Sequence, residues 1–410
     1  MSRGDGENMK YLVILGDGMA DEPIPQLGNK TPLEVAKTPY MDEMAKKAEI
    51  GLAHTVPEGM SPGSDTANLS VIGYNPKEFY TGRSPIEALS IGVDMKDTDV
   101  TFRCNIVTLS EEQEEYEDRI ILDHSSGEIT TEEATILLNE VKAELEKEGY
   151  NFYVGTSYRH LLVWEDGEVL PLTPPHDVLE RRIGEYLPKD EELRNMMKKS
   201  YEFLSNHPIN LARKEKGLNP ANSIWFWGAG TRPNLANFEE KTGVKGAMIS
   251  AVDLLKGIAV GAGMQNIYVE GANGGLHTNY AGKANAAVKT LLEDGNDFVY
   301  VHVEAPDEMG HQGNLENKIT AIEWLDEKII GPIKEALDQS GVDYRMMILP
   351  DHPTPIAIRT HTSDPIPFMI YDTKQVYEVG VEYNEKAAAE TGIVYPEGYK
   401  LMNHLLLLDN

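Results

Sequence analysis

Three apolar runs in this sequence end in a carboxylate: Asp17 follows LVILG, Asp307 lies just beyond VYVHVEAP, and Asp351 follows MMILP. Taken singly, each reads better as a turn or helix-cap residue than as part of a site. Histidines alter that balance. Asp307 and His311 are four residues apart in PDEMGH, a spacing that lets both side chains face one ion from a helical turn. His352 follows Asp351 directly, and His361 stands in a Thr-His-Thr stretch a short loop later. Three aspartates and three histidines grouped at strand ends are better explained by two divalent cations than by separate structural roles. A carboxylate and imidazole mixture suits Mn²⁺, Zn²⁺ or Co²⁺ better than Ca²⁺.

Two metals polarise phosphoryl oxygens and activate an oxygen nucleophile, and EGMSPGSDTANLSVIGY supplies a candidate. Gly63 allows a tight turn, and Ser64 then sits at a helix start, where the dipole and free N–H groups favour an alkoxide or a bound phosphate. On this segment alone an ordinary N-cap serine fits equally well. Arg83, Arg103, Arg159, Arg232 and Lys283 neighbour glycines, polar turns or strand ends. Each is a candidate clamp for phosphate or carboxylate, although exposed basic residues are usually just solvated. Gly16-Asp17-Gly18 lacks the third glycine of a dinucleotide loop and no GxxxxGK[ST] occurs, so nicotinamide and P-loop chemistry have little support.

Such residues need a scaffold that delivers strand ends to one edge. Strand-length apolar runs recur at 11–17, 223–230, 247–251, 266–271, 298–304 and 345–351, and helical patterns at 31–47, 252–263, 281–293, 314–339 and 65–73. Runs of this kind, buried on both faces, imply an α/β fold with a doubly wound parallel sheet. Parallel strands bring their C-terminal ends to the edge where α/β ligand sites form. Between 95 and 220 the texture changes to short alternating strands, one long charged helix and a Pro-rich turn. That stretch reads as an inserted α+β domain, leaving 9–94 and 221–410 as the core domain. The acidic run 111–118 reads as a solvated hairpin tip.

Composition narrows the partners. The chain has 410 residues, enough for two or three domains, and no stretch approaches the ~18 apolar residues of a membrane span. With 37 basic and 67 acidic residues the formal charge is −30, which repels nucleic acid and anionic membranes. A single cysteine, Cys104, and a start without a secretory profile favour the cytoplasm. The first eight residues read as a disordered extension.

Together LVILGDGMAD, SPGSDTANLS, EAPDEMGHQG, LPDHPTP and THTSDPIPF resemble the motifs of the alkaline phosphatase superfamily. In that order, and from Met9 onward, they are similar to the archaeal-type 2,3-bisphosphoglycerate-independent phosphoglycerate mutases. The resemblance implies an alkaline phosphatase-like sheet with helices on both faces and an inserted substrate, or transferase, domain. It implies two divalent metal ions, Mn²⁺ ahead of Zn²⁺, Co²⁺ or Mg²⁺. One would be held by Asp307, His311 and His361, the other by Asp17, the nucleophile Ser64, Asp351 and His352. Lys283 matches the lysine that neutralises the transferring phosphoryl group. Asp123, His124, Arg159 and Arg232 fall in stretches similar to those that orient the substrate, a small phosphorylated acid.

Two positions depart from that pattern. Asn68 stands where better-known mutases of the superfamily carry histidine, and SIWFWGAGTRP replaces an expected aliphatic strand ending in arginine. These Trp-rich variants resemble a branch proposed to act as homoserine kinases, which makes a homoserine phosphotransferase the rival reading. A phosphatase-type hydrolase ranks third. A metal-binding scaffold without turnover would have no use for Ser64 or Lys283.

Overall fold

The structure is a computed structural model that describes residues 9–377 and 382–408; the first eight residues lie outside them. The chain forms two compact units, Met1–Tyr80 with Leu235–Asn410, and Thr81–Asn234. The intervening unit is wider than 95–220 because the helix Arg83–Ser90 belongs to it: Ser84 Oγ bonds the Thr101 and Gly228 carbonyls.

The first unit holds an eight-stranded sheet in the order Val394–Tyr395, Glu49–Ala53, Ile366–Asp372, Tyr344–Leu349, Lys10–Gly16, Phe298–Val303, Gly246–Ile249, Gln265–Asn266. All neighbours pair in parallel except Ile366–Asp372, which runs antiparallel to both of its partners. The sheet is therefore mixed, not purely parallel. Lys10–Gly16, Phe298–Val303 and Tyr344–Leu349 are buried along their whole length, as their unbroken apolar character requires. Val299, Val301 and Val303 join one core cluster with Leu12, Ile14, Met346 and the helical residues Leu291, Ala321, Ile322, Ile333 and Leu337. Alternation sends Tyr300 and His302 to the other face, where the Tyr300 hydroxyl donates to Asn68 Oδ1 of the helix Ser64–Val71 at 2.6 Å.

Several elements differ from expectation for local reasons. The pattern 31–47 splits into Pro32–Val35 and Pro39–Ala45, because Pro39 cannot continue the preceding turn. The pattern 314–339 becomes Leu315–Leu325, a π-helical stretch Asp326–Ile330, and Gly331–Ser340. Of the run 266–271 only Asn266 is in a strand, and Tyr268 is 85% exposed. The Trp-rich run does not extend the main sheet at all. Ser223–Thr231 pairs antiparallel with Val100–Leu109 in the second unit, and a run buried on both faces reads alike in either kind of sheet.

That second unit is a five-stranded antiparallel sheet of Val100–Leu109, Ile121–Asp123, Tyr150–Thr156, Arg159–Trp164 and Ser223–Thr231. Its core is its own: Phe102, Phe152, Trp225 and Phe226 pack with Leu137, Leu138 and Val141 of the helix Thr131–Leu145. Among the described residues no helix is long and apolar enough to cross a membrane.

Candidate two-metal site

Three strand ends assemble the site. Lys10–Gly16 delivers Asp17, Tyr344–Leu349 delivers Asp351 and His352, and Phe298–Val303 leads into the helix Ala305–Gln312. In that helix Asp307 and His311 sit one turn apart, with His311 Nε2 3.2 Å from Asp307 Oδ2. His361 approaches from the loop after Tyr344–Leu349, its Nε2 3.3 Å from Asp307 Oδ1 and 3.0 Å from His311 Nε2.

Two sets of ligand atoms converge within 4.8 Å: Asp307, His311 and His361, and Asp17, Asp307 and His352. The first is the set that the family resemblance implied. The second has Asp307 where Asp351 was expected, yet Asp351 Oδ2 is only 3.3 Å from His352 Nε2 and Ser64 Oγ only 3.1 Å. All seven residues expected at the metals therefore meet in one place.

Neighbouring groups set the orientation of several candidate ligands. His311 donates from Nδ1 to the Arg359 carbonyl at 2.9 Å, which turns Nε2 inward toward Asp307. The Thr354 hydroxyl donates to Asp307 Oδ1 and faces His352 Nδ1 at 3.3 Å, so that nitrogen carries the proton and Nε2 is left to accept. Asp351 Oδ1 accepts the N–H groups of Gly18 and His352, and Oδ2 accepts Asn68 Nδ2 at 2.9 Å. Asn68 also donates to the Ser64 carbonyl, so this departure from the better-known mutases is built into the site. Lys318, fully buried, donates to the carbonyls of Ala20 and Thr354 and to Asp21, joining the two ligand-bearing loops.

Charge in the cluster is out of balance. Burial, then the charges of Asp351, Asp307 and Glu304, push the Asp17 carboxyl well above the usual range. Burial also opposes ionisation of Asp307, but hydrogen bonds from His311 and His361 outweigh it and hold that carboxyl well below the usual range. The Asp307 hydrogen bond in turn lifts His311 to about 9. Asp17 Oδ1 is buried with no hydrogen-bond partner. Crowded carboxylates, imidazole nitrogens turned inward and an orphaned oxygen are the conditions that bound divalent cations relieve, and the donor set fits them.

Ser64 is the first residue of its helix, with Gly63 as N-cap, so the N-cap alternative does not hold. Gly63 is extended rather than tightly turned; what it provides is room, since a Cβ there would lie 2.6 Å from Asp65 Oδ1. Lys283, on the helix Tyr280–Leu292, is buried and donates to the His302 carbonyl at 2.8 Å.

In the second unit, His124 stacks edge-on against Tyr158 and His176, while Arg159 lies over the Tyr158 ring at 5.3 Å. His176 meets Trp227, over which Arg103 lies at 4.4 Å while bonding Glu87. Asp123 and Arg232 each have partners within the unit. Both Asp123 oxygens accept from Ser125, Gly127 and Asn219, and Arg232 donates to the Met95 carbonyl.

Sequence reasoning missed His302 and Thr354 as site components, noted Asn68 only as a departure from the family pattern, and gave Gly18 no role. The Gly16-Asp17-Gly18 run was the available signal. Gly18 has φ +59°, and a Cβ there would lie 2.4 Å from Thr354 Oγ1 and 2.6 Å from Asp307 Oδ1.

Comparison with known proteins decides the family. A relative from Geobacter sulfurreducens, described as a probable 2,3-bisphosphoglycerate-independent phosphoglycerate mutase, is 48% identical over 97% of this chain and 100% of its own length. The chain belongs to the 2,3-bisphosphoglycerate-independent phosphoglycerate mutase family. The family model of that description matches residues 45–210. A phosphoglycerate mutase of the same description from Methanosarcina acetivorans is 48% identical over 94% of this chain and 96% of its own. Among solved structures, a Pyrococcus horikoshii protein superposes with a TM-score of 0.82 at 30% identity, covering 99% of both chains. The cofactor-independent phosphoglycerate mutase of Thermoplasma acidophilum superposes at 0.66 with 26% identity, covering 97% of this chain and 99% of that one. Within this mutase family the Trp-rich segment has a structural explanation: Trp225 is core, and Trp227 Nε1 donates to Asn105. The descriptions of the relatives support the mutase reading and not the homoserine one.

Proposed function

We propose that this chain interconverts 3-phosphoglycerate and 2-phosphoglycerate through a phosphoserine at Ser64. The observation that carries this reading is the Ser64 hydroxyl, 3.1 Å from His352 Nε2 at the edge of the carboxylate and imidazole cluster. Asp307, His311 and His361 would hold one divalent ion, and Asp17, Ser64, Asp351 and His352 the other. When bound, such ions neutralise phosphoryl oxygens and acidify a hydroxyl. We take Mn²⁺ as the working ion and the cytoplasm as the location.

In the forward direction the Oγ–P bond forms as the bond between phosphorus and the 3-oxygen breaks. The proton lost from Ser64 is matched by the one gained at that oxygen. Glycerate then presents its 2-hydroxyl, and the reverse exchange restores the serine. Phosphoryl transfer asks mainly for positioning and charge neutralisation. Lys283 supplies a fixed cation, and Asn68 fixes the first helical turn through the Ser64 carbonyl. In the second unit we assign carboxylate recognition to Arg159, with Arg103 and His124 beside it. Asp123 then shapes the loop that carries His124.

The test is phosphorus NMR of Mn²⁺-loaded protein given 3-phosphoglycerate, and separately homoserine with ATP. We expect 2-phosphoglycerate from the first and no phosphohomoserine from the second. Exhaustive chelation should abolish turnover and Mn²⁺ restore it. Ser64→Ala should eliminate transfer while leaving the fold intact, and mass spectrometry of a trapped phosphoenzyme should place the phosphate on the Ser64 peptide. Phosphohomoserine without mutase turnover would overturn the substrate, and phosphate on another peptide the nucleophile.

A further inference from the structure

His302 is fully buried on the Phe298–Val303 strand, paired with Leu15, and the chemistry above gives it no role. Its Nε2 lies 2.8 Å from Asp17 Oδ2. With a divalent ion bound, Asp17 is ionised and its oxygens can only accept, so that nitrogen carries the proton and Nδ1 carries the lone pair. Ser250 Oγ lies 3.2 Å from Nδ1 and accepts the Val252 N–H at 3.0 Å, leaving its own proton for the imidazole. Donation therefore runs one way, from Val252 N–H to Ser250, from Ser250 O–H to His302, and from His302 N–H to Asp17. The chain ends on the carboxylate whose other oxygen, Oδ1, has no partner and lies 3.6 Å from His352 Nε2. The carbonyl of the same histidine accepts Lys283 Nζ at 2.8 Å.

We propose that His302, its tautomer fixed by Ser250, is a positioning residue that engages Asp17 Oδ2 so that Oδ1 is presented to the metal. This rests on the metal-centred phosphotransfer reading. A histidine kept only for packing needs partners for its nitrogens, but not partners ordered so that the last donor meets a ligand carboxylate. Without this bond, rotation of the Asp17 carboxylate would exchange the two oxygens, and Oδ2 would be a buried acceptor without a donor. Hydrogen bonds behind a metal ligand fix its orientation, and removing them typically weakens binding by about 10–100-fold.

The experiment is a Mn²⁺ titration of metal-free wild type, His302→Leu, His302→Gln and Ser250→Ala, read by electron paramagnetic resonance of the free ion, with a circular dichroism melt of each. The expected wild-type result is two classes of site. His302→Leu should weaken one class by about 10–100-fold and leave the other as it was. His302→Gln, whose amide still donates, should recover part of the loss, and Ser250→Ala should weaken the same class less. If His302→Leu does not fold, the Gln and Ala variants carry the test on that class. Unchanged affinities in folded variants would overturn the positioning role and leave the phosphotransfer reading standing. An equal loss in both classes together with a lowered melting temperature would overturn it in favour of packing. A wild type that binds no Mn²⁺ would overturn the metal reading itself.

Discussion

Lys283 is a cation held where charge is disfavoured. Burial pushes its ammonium down to about 8, against the opposing pull of Glu304. If its charge neutralises the transferring phosphoryl group, activity needs the protonated form and falls as the pH rises through that value. The kcat/KM profile of the free enzyme reports such a group. We expect an alkaline limb near the Lys283 value in wild type. In Lys283→Arg we expect a lower maximum without that limb, because a guanidinium stays charged. A wild-type profile flat to roughly pH 10 would remove Lys283 from the charge-neutralising role. At this scale the sequence was readable where residue type carries the chemistry: aspartates and histidines behind strand ends announce themselves. Asn68, Thr354 and His302 act as neutral hydrogen-bond partners, and only the fold decides what stands opposite them. Asp123 entered only through the resemblance, and in the structure both of its oxygens accept bonds within its own loop and from Asn219.

Elements fix the site by closeness of approach as much as by direction. Gly18 follows Asp17 in the left-handed region, donates its N–H to Asp351 Oδ1 at 3.1 Å, and passes against Thr354 and Asp307 with no room for a methyl group. A side chain there meets two penalties, the left-handed conformation at ~1–2 kcal/mol and a clash with a buried hydrogen bond. Gly18→Ala should lower stability by about 2 kcal/mol or more in denaturant unfolding and weaken Mn²⁺ binding. A folded variant with wild-type stability and affinity would show that the turn has slack. The strands around it were legible because burial on both faces leaves an unbroken apolar run. Glu49–Ala53 and Ile366–Asp372 were not, since one carries a buried glutamate bonded to His404 and the other a proline. The Trp-rich run had the right texture and was placed in the wrong sheet, because texture reports burial and not partner.

At the scale of the whole molecule, the chain is divided so that the candidate metal ligands all fall in one unit and the aromatic and cationic cluster in the other. The sequence showed that an insertion exists through its change of texture. Its edges were hidden because Arg83–Ser90 looks like any amphipathic helix until Ser84 is seen bonding strands of the second sheet. The two ends of this unit lie together, with the Thr81 hydroxyl donating to the Thr231 carbonyl at 2.6 Å, so excision need not strain either piece. A fragment of residues 81–234, within the usual size of an independent domain, should unfold cooperatively on heating. The complementary chain, with a short Gly-Ser bridge from Tyr80 to Leu235, should bind Mn²⁺ with wild-type affinity, because every candidate ligand remains. It should have no mutase turnover, because the residues assigned to the carboxylate are gone. Melts, Mn²⁺ titration and phosphorus NMR of the two pieces check these expectations separately. A fragment without a cooperative melt would mean that the division is one of contacts and not of folding. Mutase turnover by the bridged chain would move substrate recognition into the metal-binding unit.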